Sequence, residues 1–523
     1  MTYDIAVVGS GFAGSLLAMI AHKLGRSVIL IEKGTHPRVV IGESSTPLSN
    51  LLFEKLTSRY GLDSLSPLAK WGSWQRTYPH VGCGLKRGFT FHHHVLGASA
   101  SPDPERRDQL LVAASPHDEI SDTHWYRADF DYLLVQEAVK LGVEYVDEVK
   151  LHRMRDYGDA VRLEGKRNGN DVEFNARFVV DATGPRGFIH QALRLREAKF
   201  PGYPHTQCLY SHFRRVGRLD GSADSRTDAV APYPIDDAAV HHVFDGGWVW
   251  VLQFNNGVTS AGVAATDDVA SRLSLSDGAK AWERLLDLIP ALKRQFATAT
   301  VERPFVHMPH MNFRSSTIVG RKWAMLPSAA GFVDPLLSTG IPLTLLGVIR
   351  LAEIIEQDWG TERLEKRLQN YAAHTDAELA ATSRLIASLY ASMNNFPVFV
   401  SLTLLYFAAA SYSEMARRLG KPHLAGSFLL CEDPVFGLEC VRLLDRARRP
   451  LTEQESAELT SDILAAIKPF NVAGLDRHER RNWYPVDADD LMNAAGKLGA
   501  SRDEVIELLK RCGFQPELNS VDA

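Results

Sequence analysis

Asp4-Ile5-Ala6-Val7-Val8-Gly9-Ser10-Gly11-Phe12-Ala13-Gly14 opens the chain, and Val28-Ile29-Leu30-Ile31-Glu32-Lys33 follows one helix later. Ile5 to Val8 form a continuous apolar run, as in a strand buried on both faces. Gly9, Gly11 and Gly14 complete G-x-G-x-x-G directly after it. Gly9 permits the tight turn, Gly11 lets the backbone approach a pyrophosphate, and Gly14 lets the next helix lie close on the sheet. The spacing predicts a helix from about Phe12 to Leu24, stopped by Gly25. A second parallel strand follows over Val28 to Ile31. Glu32 closes it 23 residues after Gly9, where a carboxylate can accept from both hydroxyls of a ribose. Phe12 and Ala13 inside the fingerprint, and Lys33 beside Glu32, fall at the same crevice. The stretch predicts a dinucleotide-binding unit.

The totals bound the rest. A chain of 523 residues suggests two or three units. Hydrophobic content of 45% and charged content of 23% are those of an ordinary soluble globular protein. A net charge of −5 gives no electrostatic case for nucleic acid or an anionic membrane as partner. Five scattered cysteines without C-x-x-C argue against structural zinc and a disulfide framework, and fit a cytoplasmic setting. The fold starts within five residues of Met1, so no signal peptide is expected. The longest apolar run, Phe396 to Tyr412, is short for a bilayer span and predicts a buried helix.

Along the chain, Ile41-Gly42-Glu43-Ser44-Ser45-Thr46-Pro47 reads as a loop feeding a capped helix. It leaves the second strand at its carboxyl end, which sets Gly42, Glu43 and Ser44 beside the cofactor. In Gly84-Leu85-Lys86-Arg87-Gly88-Phe89-Thr90-Phe91, the two phenylalanines alternate as in a strand with one buried face. On spacing alone, Lys86 in such a strand is a solvated surface residue. His92, His93 and His94 point to alternating faces, so they cannot all bind one metal; an exposed strand end is expected. Arg127 opens a helix to about Leu141 and could hold a phosphate or a flavin edge, with a solvated arginine as the competing reading. Asp181-Ala182-Thr183-Gly184 ends another buried strand near the first crevice. Residues 205–310 read as a mostly antiparallel sheet that covers the cofactor and holds the substrate. Trp248 and Trp250 share one face of it, as core aromatic pairs do. Asp334-Pro335-Leu336-Leu337-Ser338-Thr339-Gly340-Ile341-Pro342 leads into a helix running to about Gln357. Thr339 and Gly340 therefore sit at a helix N-terminus, whose unpaired N–H groups can take a flavin carbonyl oxygen or a halide ion. Asp334, Pro335 and Ile341 belong to the same cofactor turn. Helices are expected over 364–393, 398–419, 453–467, 486–498 and 502–512. The expected class is α/β, with an interleaved, Rossmann-like FAD-binding domain of residues 1–80, 110–200 and 300–360. Residues 81–109 and 201–299 would form the substrate-side sheet, and 361–523 a C-terminal helical region.

These motifs together resemble flavin-dependent halogenases, relatives of the tryptophan halogenases. The resemblance is strongest to the branch acting on phenolic or other small electron-rich aromatics. It covers roughly residues 1–350 and rests on the fingerprint, the Gly42 loop, Gly84 to Phe89, Trp248-Val249-Trp250-Val251-Leu252-Gln253 and the Asp334 to Gly340 turn. The resemblance implies a monooxygenase-type oxidoreductase of secondary-metabolite or antibiotic biosynthesis. Reduced FAD from a separate flavin reductase, with O2 and chloride or bromide, gives hypohalous acid. A halide at Thr339 and Gly340, and a catalytic lysine at Lys86 that guides the oxidant to a free or carrier-tethered aromatic, are implied as well. No metal is implied. Two departures stand out. The tryptophan motif ends in Leu252-Gln253 where the family has Ile-Pro. Leu337 stands where tryptophan-acting members carry a glutamate, which favours a phenol, and places Leu337 with Trp248 and Trp250 in the substrate pocket. An aromatic hydroxylase on the same scaffold, and a flavin-binding protein without turnover, are the alternatives.

Overall fold

The computed structural model describes residues 1–98, 103, 105–219 and 230–514; the parts of the expected units at 99–102, 104, 220–229 and 515–523 lie outside them. Strand β1 (Thr2–Val8) runs into helix α1 (Phe12–Lys23), and β2 (Val28–Ile31) pairs parallel with β1. Every residue of α1 from Phe12 to Ala21 is buried. That burial needs close approach to the sheet: a Cβ on Gly14 would stand 2.0 Å from the Gly9 carbonyl oxygen. Gly25, at φ +77°, ends the helix as expected. Helix α2 (Pro47–Arg59) starts at Thr46, whose hydroxyl accepts from the Ser49 N–H in a capping box.

The segment expected as one strand around Lys86 is two. β3 (Cys83–Lys86) and β4 (Gly88–His94) are separated at Arg87, whose N–H turns away to the Asp237 carbonyl (2.6 Å). β4 pairs with β5 (Gln109–Ala113), while β3 pairs with β6 (Asp122–Trp125) as a two-stranded antiparallel ribbon. The helix Arg127–Lys140 then leads to β7 (Glu144–Val146), parallel to β2. β8 (Val149–Asp156), β9 (Val161–Arg167) and β10 (Asn170–Asp181) form the expected meander. The carboxyl end of β10 lies parallel to β1 on one side and to Trp323–Met325 on the other. This completes an eight-stranded sheet that returns to the fingerprint late in the chain.

β11 (Thr206–Arg214), β12 (Ala239–Phe244), β13 (Gly247–Gln253) and β14 (Val258–Thr266) join β4 and β5 in a nine-stranded sheet. It is mixed rather than purely antiparallel. β11, β14, β13 and β12 are mutually antiparallel, but β12 runs parallel to β4, and Trp483–Tyr484 parallel to β5. Hairpins force antiparallel pairing, whereas β4 and β12 meet across a long connection that does not. β13 is buried on both faces: Trp248 and Trp250 join the large core, and Val249 and Val251 pack under the helices Ala279–Leu288 and Pro290–Gln295. Those helices were not legible among the strand-like runs.

After the helix Gly340–Gln357, the C-terminal region holds the helices Arg363–Ala391, Phe396–Arg418 and Glu453–Ile467. It also holds an unexpected one, Phe436–Ala447. Gly340–Gln357 and Phe396–Arg418 are long and apolar enough to cross a bilayer, yet both are mostly buried inside the fold. Phe396–Arg418 packs against α2 and Glu453–Ile467, which explains an apolar run without a polar face.

Candidate active site

The carboxyl ends of β1 and β10 meet at the glycines. A Cβ on Gly9 would lie 2.6 Å from the Ala182 carbonyl, and the Gly9 backbone sits at φ +101°, so only glycine turns here. Gly11 caps α1, and no side chain accepts from the first N–H groups of the helix. Two guanidinium groups reach the same point. Arg127 Nη2 and Arg38 Nη2 lie 3.5 and 3.6 Å from where a Gly11 Cβ would stand. Arg38 Nε is buried without a partner. A glycine-lined helix N-terminus with cations over it suits a pyrophosphate, so the residues present fit a dinucleotide such as FAD.

Arg127 is buried, which removes the solvated reading. It holds Asp131 with two bonds (2.7 and 2.8 Å) and donates to the Gly42 carbonyl (3.0 Å). Glu32 Oε2 accepts from the Ser10 N–H and hydroxyl (both 2.9 Å), and its Oε1 from the N–H groups of Lys33 and Gly34. Burial acts to raise its pKa, but the Arg38 charge and these donors outweigh it and hold the carboxyl below its usual range. Lys33 contributes its backbone there; its side chain is exposed. Asp181 accepts from the Thr183 N–H and hydroxyl and from the Ile189 N–H (2.6 Å), which shapes the turn through Gly184. Phe12 and Ala13 are buried in the core behind the glycines.

The second helix terminus is built by a buried acid. Asp334 accepts from the Leu336 N–H (2.9 Å) and from the hydroxyls of Tyr390 (2.9 Å) and Tyr203 (3.2 Å). Burial pushes its carboxyl up to about 6. Beyond Pro335, Leu337 and Ser338 adopt left-handed backbone (φ 63° and 55°) and turn the chain into the Gly340 helix. Thr339 precedes that helix without capping it, Gly340 is exposed, and nothing lies within 4 Å of where its Cβ would stand. Open N–H groups and the helix dipole suit an anion there. Ile341 is buried, and the Gly340 helix packs on α1.

Lys86 has no exposed surface. Its ammonium donates to Ser44 Oγ (2.8 Å) and the Ser45 carbonyl (2.5 Å), and stands 3.7 Å over the Phe89 ring. Gly42 and Ser44 belong to a loop zipped onto β6. Trp125 donates to the Glu43 carbonyl (2.6 Å), and Ser45 bonds Thr123 by both its N–H and its hydroxyl. The Glu43 carboxylate pairs with buried His212 (2.9 Å). Across the ribbon from Lys86 stands Asp122. Asn50 donates to its Oδ1 (2.7 Å), while its buried Oδ2 has no hydrogen-bond partner. Burial pulls the Lys86 ammonium down and pushes the Asp122 carboxyl up, each opposed by the other's charge. His241 stacks between Phe91 (4.4 Å) and Phe89 and is pushed down to about 3 by burial.

A cavity of about 160 Å³ opens beside this ribbon. Asp122, Thr46 and Phe89 line one side, Tyr406 and Phe407 of the Phe396 helix another, and Leu508 of the tail a third. Lys86 itself does not line it; its ammonium contacts the ring of Phe89, which does. The Tyr406 hydroxyl reaches the Leu337 carbonyl (2.9 Å), which ties the cavity wall to the turn before the Gly340 helix. Trp248, Trp250 and Leu337 do not line this cavity. Trp248 and Trp250 pack on each other at 5.7 Å, and Leu337 is fully buried. Asp122, Asn50, Tyr406 and Arg38 carried no sequence signal of a role here.

The histidine run departs from expectation. His92 and His94 are half-buried and stack on His242 of β12, with His94 bonded to it at 2.9 Å. Their strand lies inside a sheet, where pairing with β12 covers them. Among the described residues, no group of three or more histidines, cysteines or carboxylates could hold a metal.

Comparison with known proteins adds a family. The model of the family described as tryptophan halogenase matches residues 121–396. Tetracycline 7-halogenase of Kitasatospora aureofaciens is 28% identical over 423 residues, or 78% of this chain and 73% of that one. Monodechloroaminopyrrolnitrin halogenase PrnC of Pseudomonas fluorescens is 29% identical over 383 residues, covering 70% of this chain and 65% of its own length. The structure of halogenase PltM with phloroglucinol and FAD superposes with a TM-score of 0.77 at 23% identity, over 92% of this chain and 99% of that one. The myxobacterial chondrochloren halogenase CndH gives a TM-score of 0.60 at 22% identity, over 75% and 83% of the two chains.

Proposed function

This chain belongs to the tryptophan halogenase family of flavin-dependent halogenases, and from that premise we propose that it halogenates a phenolic or other electron-rich aromatic ring with hypohalous acid guided by Lys86. The observation that carries this reading is the complete burial of Lys86 between the Ser44–Ser45 loop and Phe89. A lysine costs several kcal/mol to bury, on the order of a pKa shift of two to three units, and surface lysines are not placed so.

Reduced FAD, when bound, supplies the electrons with which oxygen and a halide become hypohalous acid. Every other part is played by side chains and backbone of this chain. The N–H groups after Gly9 and Gly11, with Arg38 and Arg127, hold the pyrophosphate, and Glu32 takes a ribose. The Gly42 loop, Asp181 to Gly184 and the Asp334 to Ile341 turn frame the ring system. Thr339 and Gly340 offer the halide an open helix N-terminus. Residues 1–80, 110–200 and 300–360 supply most of the cofactor unit and 81–109 and 201–299 most of the substrate side, with the correction that 110–113, Thr300–Val301 and Val306–Met308 pair into the nine-stranded sheet, while the tail from 361 lends the cavity Tyr406, Phe407 and Leu508.

Lys86 stands between the two halves of the reaction. Its ammonium is held by Ser44 and Ser45 of the loop that carries Gly42, while Phe89, under the ammonium, and Asp122, across the ribbon, line the cavity. The lysine orients the oxidant toward one ring carbon while the apolar walls keep water away. Leu337, in place of a glutamate, favours a ring that is already activated. The PltM structure holds phloroglucinol, a small polyphenol, and a separate flavin reductase would deliver the reduced cofactor. The test supplies reduced FAD, oxygen and bromide with a panel of phenols. Brominated product that requires bromide supports the reading; hydroxylated product formed equally without halide replaces it with a hydroxylase.

A further inference from the structure

We propose that Asp122 is the base that accepts the ring hydroxyl proton during halogenation, an inference that rests on the phenol reading above. Four observations carry it. Asp122 lines the cavity. Among the described residues lining that cavity, its Oδ2 is the buried side-chain polar atom without a hydrogen-bond partner. Asn50 fixes Oδ1 at 2.7 Å, which sets the direction of the other oxygen. Lys86 is its partner across the β3–β6 ribbon, so base and oxidant-holding lysine are placed by one short piece of backbone.

A buried carboxylate oxygen without a donor costs about 1–3 kcal/mol or more, so it persists where something else supplies the hydrogen bond. A phenol hydroxyl entering the cavity is such a donor. The other carboxylate on the wall, Glu414, does not compete for this role, because it is already paired with Arg418 (2.7 Å). Leu337 removes a carboxylate from the turn, and Asp122 restores one from the ribbon.

As the ring carbon bonds the halogen, the halogen–oxygen bond of hypohalous acid breaks. The departing hydroxide takes a proton from the Lys86 ammonium and leaves as water. The ring hydroxyl gives its proton to Asp122 Oδ2 and becomes a carbonyl. Water then carries the proton of the halogenated carbon back to the Lys86 amine. Asp122 returns its proton to the ring oxygen, and aromaticity is restored with both side chains in their starting charge.

The test compares wild type, Asp122→Asn and Asp122→Glu with reduced FAD, oxygen and bromide. One substrate is a phenol that is neutral at the assay pH; the other is a nitrophenol that is already ionised. Asp122→Asn should slow bromination of the neutral phenol about 100-fold and that of the ionised one less than about threefold, the span of one general base. Asp122→Glu should recover part of the loss. Equal loss on both phenols, or no loss on either, overturns the role of Asp122 while leaving the halogenase reading intact. A wild type that brominates no phenol overturns the phenol reading, and the role of Asp122 with it. If Asp122→Asn does not fold, the wild-type pH profile decides. The groups facing Asp122 are Lys86, Asn50, Glu414, Arg418 and Tyr406. The rate with a neutral phenol should fall on the acid side as Asp122 protonates, and the rate with the corresponding methyl ether should not. Identical profiles for the two rings overturn the proposal.

Discussion

Lys86 and Asp122 face each other across a four-residue antiparallel ribbon, and both are buried. Neither has a direct ion-pair contact with the other; the ammonium is held by Ser44 and Ser45, the carboxylate by Asn50. Removing one charge therefore leaves the other buried against apolar surroundings. Lys86→Met should lower stability by about 3 kcal/mol. Asp122→Asn added to the same chain should recover most of that loss. Denaturant unfolding of the two singles and the double measures the coupling.

Arg38 and Arg127 stand over the Gly11 turn; Arg38 makes one long contact to Glu32 (3.4 Å), and its Nε lacks a partner. Arg38→Ala should weaken FAD binding about tenfold, or roughly 1.4 kcal/mol, with little change in thermal stability. Arg127→Ala should weaken both, because it strands buried Asp131. Flavin fluorescence titration and a melting curve separate the two.

Asp334 gives a pH dependence. Its native carboxyl is raised to about 6 by burial, above its value in the unfolded chain. Between those two values the native state binds more protons than the unfolded one, so stability falls as pH rises through this window. The loss of stability is about 3 kcal/mol, complete above pH ~6 and absent below pH ~4. Asp334→Asn should flatten this part of the stability profile, read by denaturant midpoints from pH 4 to 7.

Phe407 forms a wall of the cavity opposite Asp122, with its ring 5.0 Å from that of Phe89. Phe407→Ala should cost about 3 kcal/mol of stability. It should also shift preference toward larger phenols, seen in the ratio of kcat/KM between a small and a bulky ring.

The strand–helix–strand at the N-terminus was legible because periodicity, three glycines and a closing acid all agree over one short stretch. The return of β10 and of Trp323–Met325 to the same sheet was legible too, since buried parallel strands are continuous apolar runs. Lys86 was not: spacing treats residues 84–91 as one strand and assigns the lysine to solvent. The turn at Arg87 separates β3 from β4, and a four-residue ribbon leaves no alternation to read. Asp122 is hidden for the same reason, in Asp-Thr-His-Trp without a pattern. The cavity depends on Tyr406 and Leu508, brought to the ribbon by tertiary packing of the tail. Trp248 and Trp250, which drew attention as a motif, pack in the core as their spacing alone suggested. The parallel joining of β12 to β4 escaped because register between distant strands is set by the assembled core.

The central claim, that Lys86 directs a halogenating oxidant, is tested most directly by mass analysis of product from wild type and Lys86→Ala. Both receive reduced FAD, oxygen, bromide and one accepted phenol. In the wild type one ring hydrogen is replaced by bromine, seen as its isotope doublet. Lys86→Ala gives none, although that variant still binds FAD as judged by fluorescence. Brominated product from Lys86→Ala at the wild-type rate, or a hydroxylated product from both proteins, would contradict it.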